Sequence, residues 1–215
     1  MITLRPHHVL DNVTNGDRFV HIILPNQKSL TSMLEKAIIV ALLKIIKPTK
    51  VFEFGTSIGE TTLMLAANSN ALVYTIDINN ELMETMGKLD EREINNANSR
   101  ICEELIFSST QYENNIHTII SDSTTYDFSK FSEDMDFILI DGGHHIDVVK
   151  SDTNNAFKML SLQRPSCIIW HDYGNPYYQI TDFLDDLAKD MKLYHVAETG
   201  YVFYVSNIDT FAEYD

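Results

Sequence analysis

The chain has 215 residues, of which 44% are hydrophobic, and its formal net charge is -15 at pH 7. A chain of this size can bury the core of one α/β domain without disulfides or structural metal sites. The negative charge opposes lasting contact with phosphate backbones, so we expect a small-molecule substrate and no nucleic-acid partner.

The cysteines and the apolar segments indicate where the protein works. Cys102 and Cys167 are the two cysteines, and they lie on different predicted elements, which is typical of a reducing compartment. The first twenty residues lack the apolar core of a secretory signal, and no apolar run reaches membrane-spanning length. We therefore expect a cytoplasmic protein without a membrane partner. The sequence leaves open whether it forms a homo-oligomer.

The beginning of the chain differs in pattern from the rest. Residues 1–28 are irregular, and we expect them to form an N-terminal arm in front of a single domain, residues 29–215. Apolar residues recur at helical spacing from Ser29 to Ile46, with Ser32 and Glu35 placed as a capping box. This pattern predicts the first helix of the domain.

Strands alternate with helices along the rest of the chain, which is typical of a parallel sheet covered on both faces. The last two strands are joined by Ala197–Gly200, which is too short for a crossover helix, so these strands must run antiparallel. We predict an α/β fold with a doubly wound, mostly parallel seven-stranded sheet that ends in an antiparallel hairpin. The predicted strands are 51–54, 71–76, 116–120, 136–140, 167–170, 192–196 and 201–205.

The first strand leads into a turn that carries a carboxylate and two glycines. Gly55 and Gly59 lack side chains where the backbone must approach a ligand, and Glu53 precedes them. A carboxylate here would repel the pyrophosphate of a dinucleotide. S-adenosylmethionine has no phosphate and offers ribose hydroxyls, an ammonium and a sulfonium, so the turn favours this ligand over NAD. The alternative is an ordinary strand-to-helix turn that needs glycine for its dihedral angles.

The next two strands also end in polar residues. Asp77 follows roughly twenty residues after the glycine turn, where an acid can accept hydrogen bonds from ribose hydroxyls. Alternatively, Asp77 caps a helix predicted from Asn80 to Leu89. Asp122 and Ser123 end the third strand and could bind the adenine amino group and a ring nitrogen, or they could form a local turn.

The fourth and fifth strands end in acids and histidines. Asp141 and Asp172 would meet at one edge of the sheet and could hold a divalent cation such as Mg²⁺, which lowers the pKa of a bound hydroxyl. His144 could act as the general base, whereas we expect His145 to be structural. His171 could be a metal ligand or a packing residue. As an alternative, Asp141 could simply cap the following helix.

Five segments in this order resemble the class I S-adenosylmethionine-dependent methyltransferases. Within that superfamily they are similar to the small-molecule O-methyltransferase branch, which includes macrocin-type and cephalosporin-hydroxylase-like proteins. The resemblance covers about residues 29 to 205. The segments are Glu53–Gly59, Thr75–Asp77, Ser121–Ser123, Asp136–His144 and Trp170–Gly174.

The resemblance implies methyl transfer from S-adenosylmethionine to a hydroxyl of a small molecule. His144 and Asp141 would be catalytic, and Asp141, Asp172 and His171 would be the metal ligands. Relatives often carry another acid where His171 stands, and an imidazole there favours a softer ion than Mg²⁺ or none. The residues matched to cofactor binding are Glu53, Gly55, Ser57, Gly59, Thr61, Asp77, Asp122 and Ser123.

Other interpretations stay open at this point. A hydroxylase-like enzyme on the same scaffold would need a redox metal or a cosubstrate, and a catalytically silent protein would only bind the nucleoside. In this branch, segments such as residues 1–28 often form a lid over the acceptor pocket. Tyr173, Tyr177 and Tyr178 would line that pocket or pack in the core.

Overall fold

The computed structural model describes residues 1–14, 20–21, 31–79, 82 and 104–211 of the chain. Cys102 and, apart from Leu82, the helix predicted from Asn80 to Leu89 lie outside these residues. In the described part, none of the helices combines the length and the apolar character that a membrane crossing requires.

One sheet of eight strands forms the centre of the described part. Its strands are β1 (Ile2–Leu4), β2 (Lys50–Phe54), β3 (Leu72–Asp77), β4 (Ile116–Ile120), β5 (Phe137–Ile140), β6 (Ser166–Trp170), β7 (Tyr194–Val196) and β8 (Val202–Ser206). Their order is β1-β7-β8-β6-β5-β2-β3-β4. Only β8 runs antiparallel to its neighbours, β6 and β7, among these strands. The predicted mostly parallel sheet with a terminal antiparallel hairpin is therefore confirmed.

Five α-helices cover the two faces of this sheet in the part that the structure describes. Apolar side chains of the first three helices pack on one face, and those of the last two pack on the other. The chain thus has the three-layer arrangement of a doubly wound α/β protein. The helices are α1 (Pro6–Leu10), α2 (Met33–Ile46), α3 (Glu60–Asn68), α4 (Ile146–Met159) and α5 (Ile180–Leu187).

The first strand corrects the predicted number of strands from seven to eight. Ile2–Leu4 pairs in parallel with β7, and the amide of Ile2 donates to the carbonyl of Leu193 at 2.9 Å. Three residues are too few to show a recognisable alternation, so the pattern of residues 1–28 does not reveal this strand. The division into an arm and a domain stays a prediction.

Alternation along β2 brings a carboxylate into the interior. Val51 packs on the α2–α3 face and Phe52 on the α4–α5 face, because successive side chains of a strand point to opposite faces. Glu53 therefore points to the α2–α3 face, where it is only 1% exposed. The fold thus buries an acid below the carboxyl end of the sheet.

Helix α2 has the predicted capping box and ends at Ile46 as the sequence predicts, although it begins at Met33, later than the apolar pattern from Ser29 suggests. The Ser32 hydroxyl accepts from the Glu35 amide at 3.2 Å, and the Glu35 carboxylate accepts from the Ser32 amide at 2.8 Å. This reciprocal pair confirms the capping box. Lys47, with φ of 54°, ends the helix in the left-handed conformation.

Candidate active site

Four titratable side chains lie side by side on the α2–α3 face at the carboxyl end of the sheet. The pairing of β5 with β6 and of β6 with β8 places Asp141, His171 and Tyr201 next to one another. Glu53 lies on the neighbouring strand β2, which pairs with β5. The structure thus brings together residues from four strands that are distant in sequence.

Glu53 is held by hydroxyl groups. Its Oε2 accepts from Thr62 Oγ1 at 2.5 Å and from Thr75 Oγ1 at 2.7 Å. A hydrogen bond of 2.7 Å between Thr56 and Thr75 extends this network. The sequence motif points to Thr61 as a site residue, but the contact with Glu53 belongs to Thr62, the next residue on α3.

Burial raises the pKa of Glu53 to about 8. The hydrogen bonds from Thr62 and Thr75 lower it, but the negative charges of Asp141 and Asp77 add to the effect of burial. The Glu53 carboxyl is therefore protonated at neutral pH unless a positive charge comes close to it.

Both glycines of the turn have a structural role. Gly55 has a φ of 97°, and a Cβ there would lie 2.2 Å from the carbonyl oxygen of Asp141. Gly59 has a φ of 84°, and its Cβ would lie 2.6 Å from the ring of Phe107. Contacts within the protein thus explain both glycines, and their role in binding a cofactor stays a prediction.

Asp77 closes the glycine turn from the neighbouring strand. Its Oδ2 accepts from the amide of Ser57 at 2.8 Å, and its Oδ1 accepts from the amide of Ile78 at 2.8 Å. These two hydrogen bonds hold the carboxylate at the end of β3, beside the turn. This placement is the one that a ribose-binding acid needs.

The segment after β4 forms a local turn, which is one of the two alternatives that the sequence predicts for Asp122 and Ser123. Asp122 Oδ1 accepts from the amide and the hydroxyl of Thr124, at 2.8 and 2.7 Å. Ser123 hydrogen-bonds to Asp152 of α4. Burial raises the pKa of Asp152 to about 7, and the negative charge of Asp122 contributes to this increase. The turn and an adenine contact are compatible, and the contact stays a prediction.

His144 faces the site, whereas His145 caps a helix. His144 Nε2 lies 2.9 Å from Asp172 Oδ2, and its ring stacks on Tyr178 with centroids 4.4 Å apart and planes at 11°. Nδ1 of His145 accepts from the amide of Asp147 at the start of α4, at 3.3 Å. The two neighbouring histidines therefore point in different directions, as expected from the sequence.

His171 lies between carboxylates on both sides. Its Nδ1 is 3.0 Å from Asp141 Oδ1 and 3.7 Å from Asp172 Oδ2, and its Nε2 is 3.3 Å from Glu35 Oε1. A neutral imidazole has one N–H, so only the imidazolium donates to both sides. Burial lowers the pKa of His171, but the charge and hydrogen bond of Asp141, the hydrogen bond of Glu35 and the charge of Asp172 raise it to about 11.

Glu35 is a site residue that the sequence identifies only as a helix cap. Besides capping α2, its Oε1 accepts from the amide of Gly200 at 2.9 Å and contacts His171. Burial raises the pKa of Glu35, but hydrogen bonds from His171, Gly200 and Ser32 and the charge of His171 lower it to about 2. These partners are 136 and 165 residues away in sequence, so no local pattern indicates them.

Asp172 has a strained backbone and three polar partners. Its φ of 64° is in the left-handed region, which costs a residue other than glycine about 1 kcal/mol or more. Burial raises its pKa, but the hydrogen bond from His144, the charges of His171 and His144 and the hydrogen bond from Asn175 lower it to about 2. Asp172 is thus an anion held between two imidazoles.

The Asp141, His171 and Asp172 side chains also form a candidate metal site. Each offers one ligand atom, and these atoms lie within 4.8 Å of one another. Two carboxylates and an imidazole suit a divalent cation. The three residues that the sequence predicts as ligands are therefore close enough together to bind one ion.

An open cleft of about 580 Å³ leads to His171 and Asp172. Tyr173 lines it, and the Tyr173 hydroxyl donates to Asp185 at 3.0 Å. Tyr177 is 74% exposed, and Tyr178 stacks on His144. The three tyrosines therefore have three different environments.

Comparisons with known proteins agree with this fold. A search of curated proteins finds no match for the chain. A protein from Staphylococcus aureus described as a caffeoyl-CoA O-methyltransferase is similar in structure, with a TM-score of 0.56, 17% identity and coverage of 82% of this chain and 84% of that one. The Podospora anserina methyltransferase PaMTH1, solved with S-adenosylhomocysteine, has a TM-score of 0.54 at 12% identity and covers 93% and 87%.

At these identities the solved structures establish the fold alone. The profile of a methyltransferase domain, however, matches residues 52–173, which is more than half of the chain. This range contains the glycine turn, Asp77, Asp141 and Asp172. The chain therefore belongs to the methyltransferase domain family, within the class I S-adenosylmethionine-dependent methyltransferases.

Proposed function

We propose that this methyltransferase transfers the methyl group of S-adenosylmethionine to a hydroxyl of a small molecule, with His144 as the general base. The observation that carries the proposal is the pair of His144 and Asp172 at the strand ends, 2.9 Å apart. A carboxylate partner orients an imidazole and stabilises the imidazolium that forms when it accepts a proton. The hydroxyl of the acceptor must lose its proton when its oxygen attacks the methyl group, and the imidazole of His144 would take up that proton.

We assign the cofactor to the turn after β2. Asp77 would bind the ribose hydroxyls, and Asp122 with Ser123 would bind the adenine. Glu53 would interact with the positive end of the cofactor, because a nearby cation lowers the raised pKa of this carboxyl and stabilises its ionised form. The S-adenosylhomocysteine bound to the Podospora enzyme supports the same class of ligand here.

Alignment of the two reactants would provide most of the rate acceleration. Near-attack geometry between bound reactants can contribute about 7 to 11 kcal/mol. Asp141, His171 and Asp172 would hold a divalent cation, and such an ion, when bound, lowers the pKa of a coordinated hydroxyl. His144 would then need to remove a proton that is less tightly held.

The cleft indicates the class of acceptor. Its polar lining includes Asp172, Asn175, Glu198 and Thr199, and no Lys or Arg occurs among the described residues that line it. Such a surface suits a neutral or cationic molecule with hydroxyl groups and disfavours phosphate esters. Together with the net charge of -15, it supports a small-molecule acceptor and argues against nucleic acid.

Calorimetry with S-adenosylmethionine and with NAD tests the cofactor assignment. We expect binding of S-adenosylmethionine only, and weaker binding by Asp77→Asn, since hydrogen bonds to a charged group contribute about 1.5 to 3 kcal/mol, or roughly 10- to 100-fold in Kd. Asp147→Asn is the control, because this carboxylate is 83% exposed at the start of α4. Equal affinities for Asp77→Asn and the parent would contradict the assignment.

Transfer of a labelled methyl group into a pool of small metabolites tests the reaction. The expected result is a labelled O-methyl product and stoichiometric S-adenosylhomocysteine. Turnover that depends on oxygen and Fe(II), without S-adenosylhomocysteine, would instead support the hydroxylase-like alternative. Cofactor binding without any transfer would support the silent binding protein.

A further inference from the structure

We propose that Glu35 is a positioning residue that holds His171 for coordination of a divalent cation by Asp141, His171 and Asp172. The proposal rests on the cation of the proposed function, but it does not depend on the identity of the acceptor. Glu35 would accept the Nε2–H of His171, and the Nδ1 lone pair would then face the two aspartates.

At Nδ1 of His171, the distance to Asp141 matches two ligands of one ion, and the distance to Asp172 is slightly longer than such a pair requires. Nδ1 lies 3.0 Å from Asp141 Oδ1 and 3.7 Å from Asp172 Oδ2. Two ligands at about 2.1 Å from one ion, roughly 90 to 110° apart, are separated by about 3.0 to 3.4 Å. The ion would replace the proton on Nδ1, since metal ligands bind in their deprotonated form.

A buried hydroxyl beside this cluster gives an independent indication of a ligand. Tyr201 is 0% exposed, and its hydroxyl has no hydrogen-bond partner among the described residues. Its ring lies 5.0 Å from that of His171, and the hydroxyl experiences the charges of Asp141, Glu35 and Asp172. An unpaired buried hydroxyl is unfavourable, and water carried by a bound cation would provide its partner.

Glu35 is fixed from three sides, which suits a positioning residue. Its carboxylate accepts from the Ser32 amide at 2.8 Å and from the Gly200 amide at 2.9 Å, and it contacts His171 Nε2 at 3.3 Å. A carboxylate behind a metal-binding histidine fixes its orientation and tautomer, and its loss typically weakens metal binding about 10- to 100-fold. The imidazole also explains why we choose Mn²⁺ as the probe, since Mg²⁺ prefers an all-oxygen site.

Titration of the metal-free protein with Mn²⁺, followed by electron paramagnetic resonance of the free ion, tests the proposal. For Glu35→Gln we expect an Mn²⁺ Kd about 10- to 100-fold higher than that of the parent. Glutamine can still form the capping box, but it cannot also accept from His171 with the same oxygen. The melting temperature of this variant checks that it is folded.

Ser32→Ala is the matched control. It removes the other half of the capping box and leaves the contact between Glu35 and His171 in place, so it should lower the melting temperature without changing the Mn²⁺ Kd. Equal Mn²⁺ affinity of Glu35→Gln and the parent would overturn the proposal, as would a parent that binds S-adenosylmethionine but no Mn²⁺. The titrations contain no cofactor or acceptor, so a failure of cofactor binding or of methyl transfer does not affect this measurement.

Discussion

The two sides of the site hold their acids in different ways. On the side that we propose for the cofactor (the cofactor side), Glu53, Asp77 and Asp122 accept hydrogen bonds from neutral donors, namely threonine hydroxyls and backbone amides. On the side that we propose for the acceptor (the acceptor side), Asp141 and Asp172 contact imidazoles. Among the described residues, the hydrogen-bond donors to the cofactor-side acids are therefore neutral, whereas the acceptor side contains groups that can carry a proton or bind an ion.

This difference shifts the pKa values of two carboxyls, the buried Glu53 and the partly buried Asp172, in opposite directions. Burial and the neighbouring acids Asp141 and Asp77 raise the pKa of Glu53 to about 8. Burial also raises the pKa of Asp172, but His144 and His171 more than offset it and lower the pKa to about 2. Burial alone thus does not determine the charge of an acid in this site, because its partners do. A cationic cofactor fits the first environment, and proton transfer fits the second.

Removal of the His144 imidazole from the acceptor side should have the largest effect on turnover. We expect His144→Ala to reduce kcat about 10²- to 10⁴-fold, which is the usual contribution of a general base. The cofactor Kd should not change, because His144 contacts Asp172 and Tyr178 on the acceptor side. Steady-state rates of S-adenosylhomocysteine release and calorimetry measure the two quantities.

His145→Ala is the control for this variant. The His145 side chain is 56% exposed and only caps α4, so its removal should leave turnover intact and lower stability slightly. If both variants retained full turnover with an authentic acceptor, the base would have to be sought among other groups of the site.

The two sides meet at Gly55, and a methyl group there should disturb both. Its Cβ would lie 2.2 Å from the backbone of Asp141 in addition to the unfavourable φ of 97°. We expect Gly55→Ala to reduce the free energy of unfolding by about 3 kcal/mol or more. Urea denaturation measures this quantity.

Gly174→Ala separates the two causes. Gly174 has a φ of 82°, but nothing lies within 4 Å of its Cβ position. Only the backbone strain remains, and the expected loss is about 1 kcal/mol. Equal losses of unfolding free energy in Gly55→Ala and Gly174→Ala would show that the backbone of Asp141 moves away easily. The cofactor side and the acceptor side would then not be rigidly joined at Gly55.

The sequence is sufficient to predict the residues at the ends of strands. Asp77, Asp141 and Asp172 each follow an apolar run, and parallel strands place their carboxyl ends at one edge. The capping box of Ser32 and Glu35 is predictable for a similar reason, because both partners lie within one helical turn. Local pattern therefore specifies the mostly parallel sheet and the acids at the ends of its strands.

Contacts between distant segments cannot be predicted in this way. The contact of Glu35 with His171 depends on how α2 packs on the sheet, and Tyr201 enters the site only because β8 pairs with β6. Whether Thr61 or Thr62 contacts Glu53 depends on the rotation of α3 about its axis. These details follow from tertiary packing, which a pattern of residue types does not determine.

A further predicted effect is a pH dependence of stability that arises from Glu53. The ordinary pKa of this carboxyl is 4.5, and in the folded protein it is about 8. Between these values the folded state keeps a proton that the unfolded state has lost, so stability must fall as the pH rises. The slope is at most about 1.4 kcal/mol per pH unit. Glu53→Gln carries no such proton, so its stability relative to the parent should increase with pH.

Urea denaturation at several pH values between about 5 and 8 measures this difference, with the exposed Glu104→Gln as the control. Saturating S-adenosylmethionine should reduce the slope of the parent, since its positive charges favour the ionised form of Glu53. Parallel curves for Glu53→Gln and the parent without cofactor would mean that Glu53 is already ionised. The cofactor side would then contain a compensating cation of its own, and the contrast with the acceptor side would not hold.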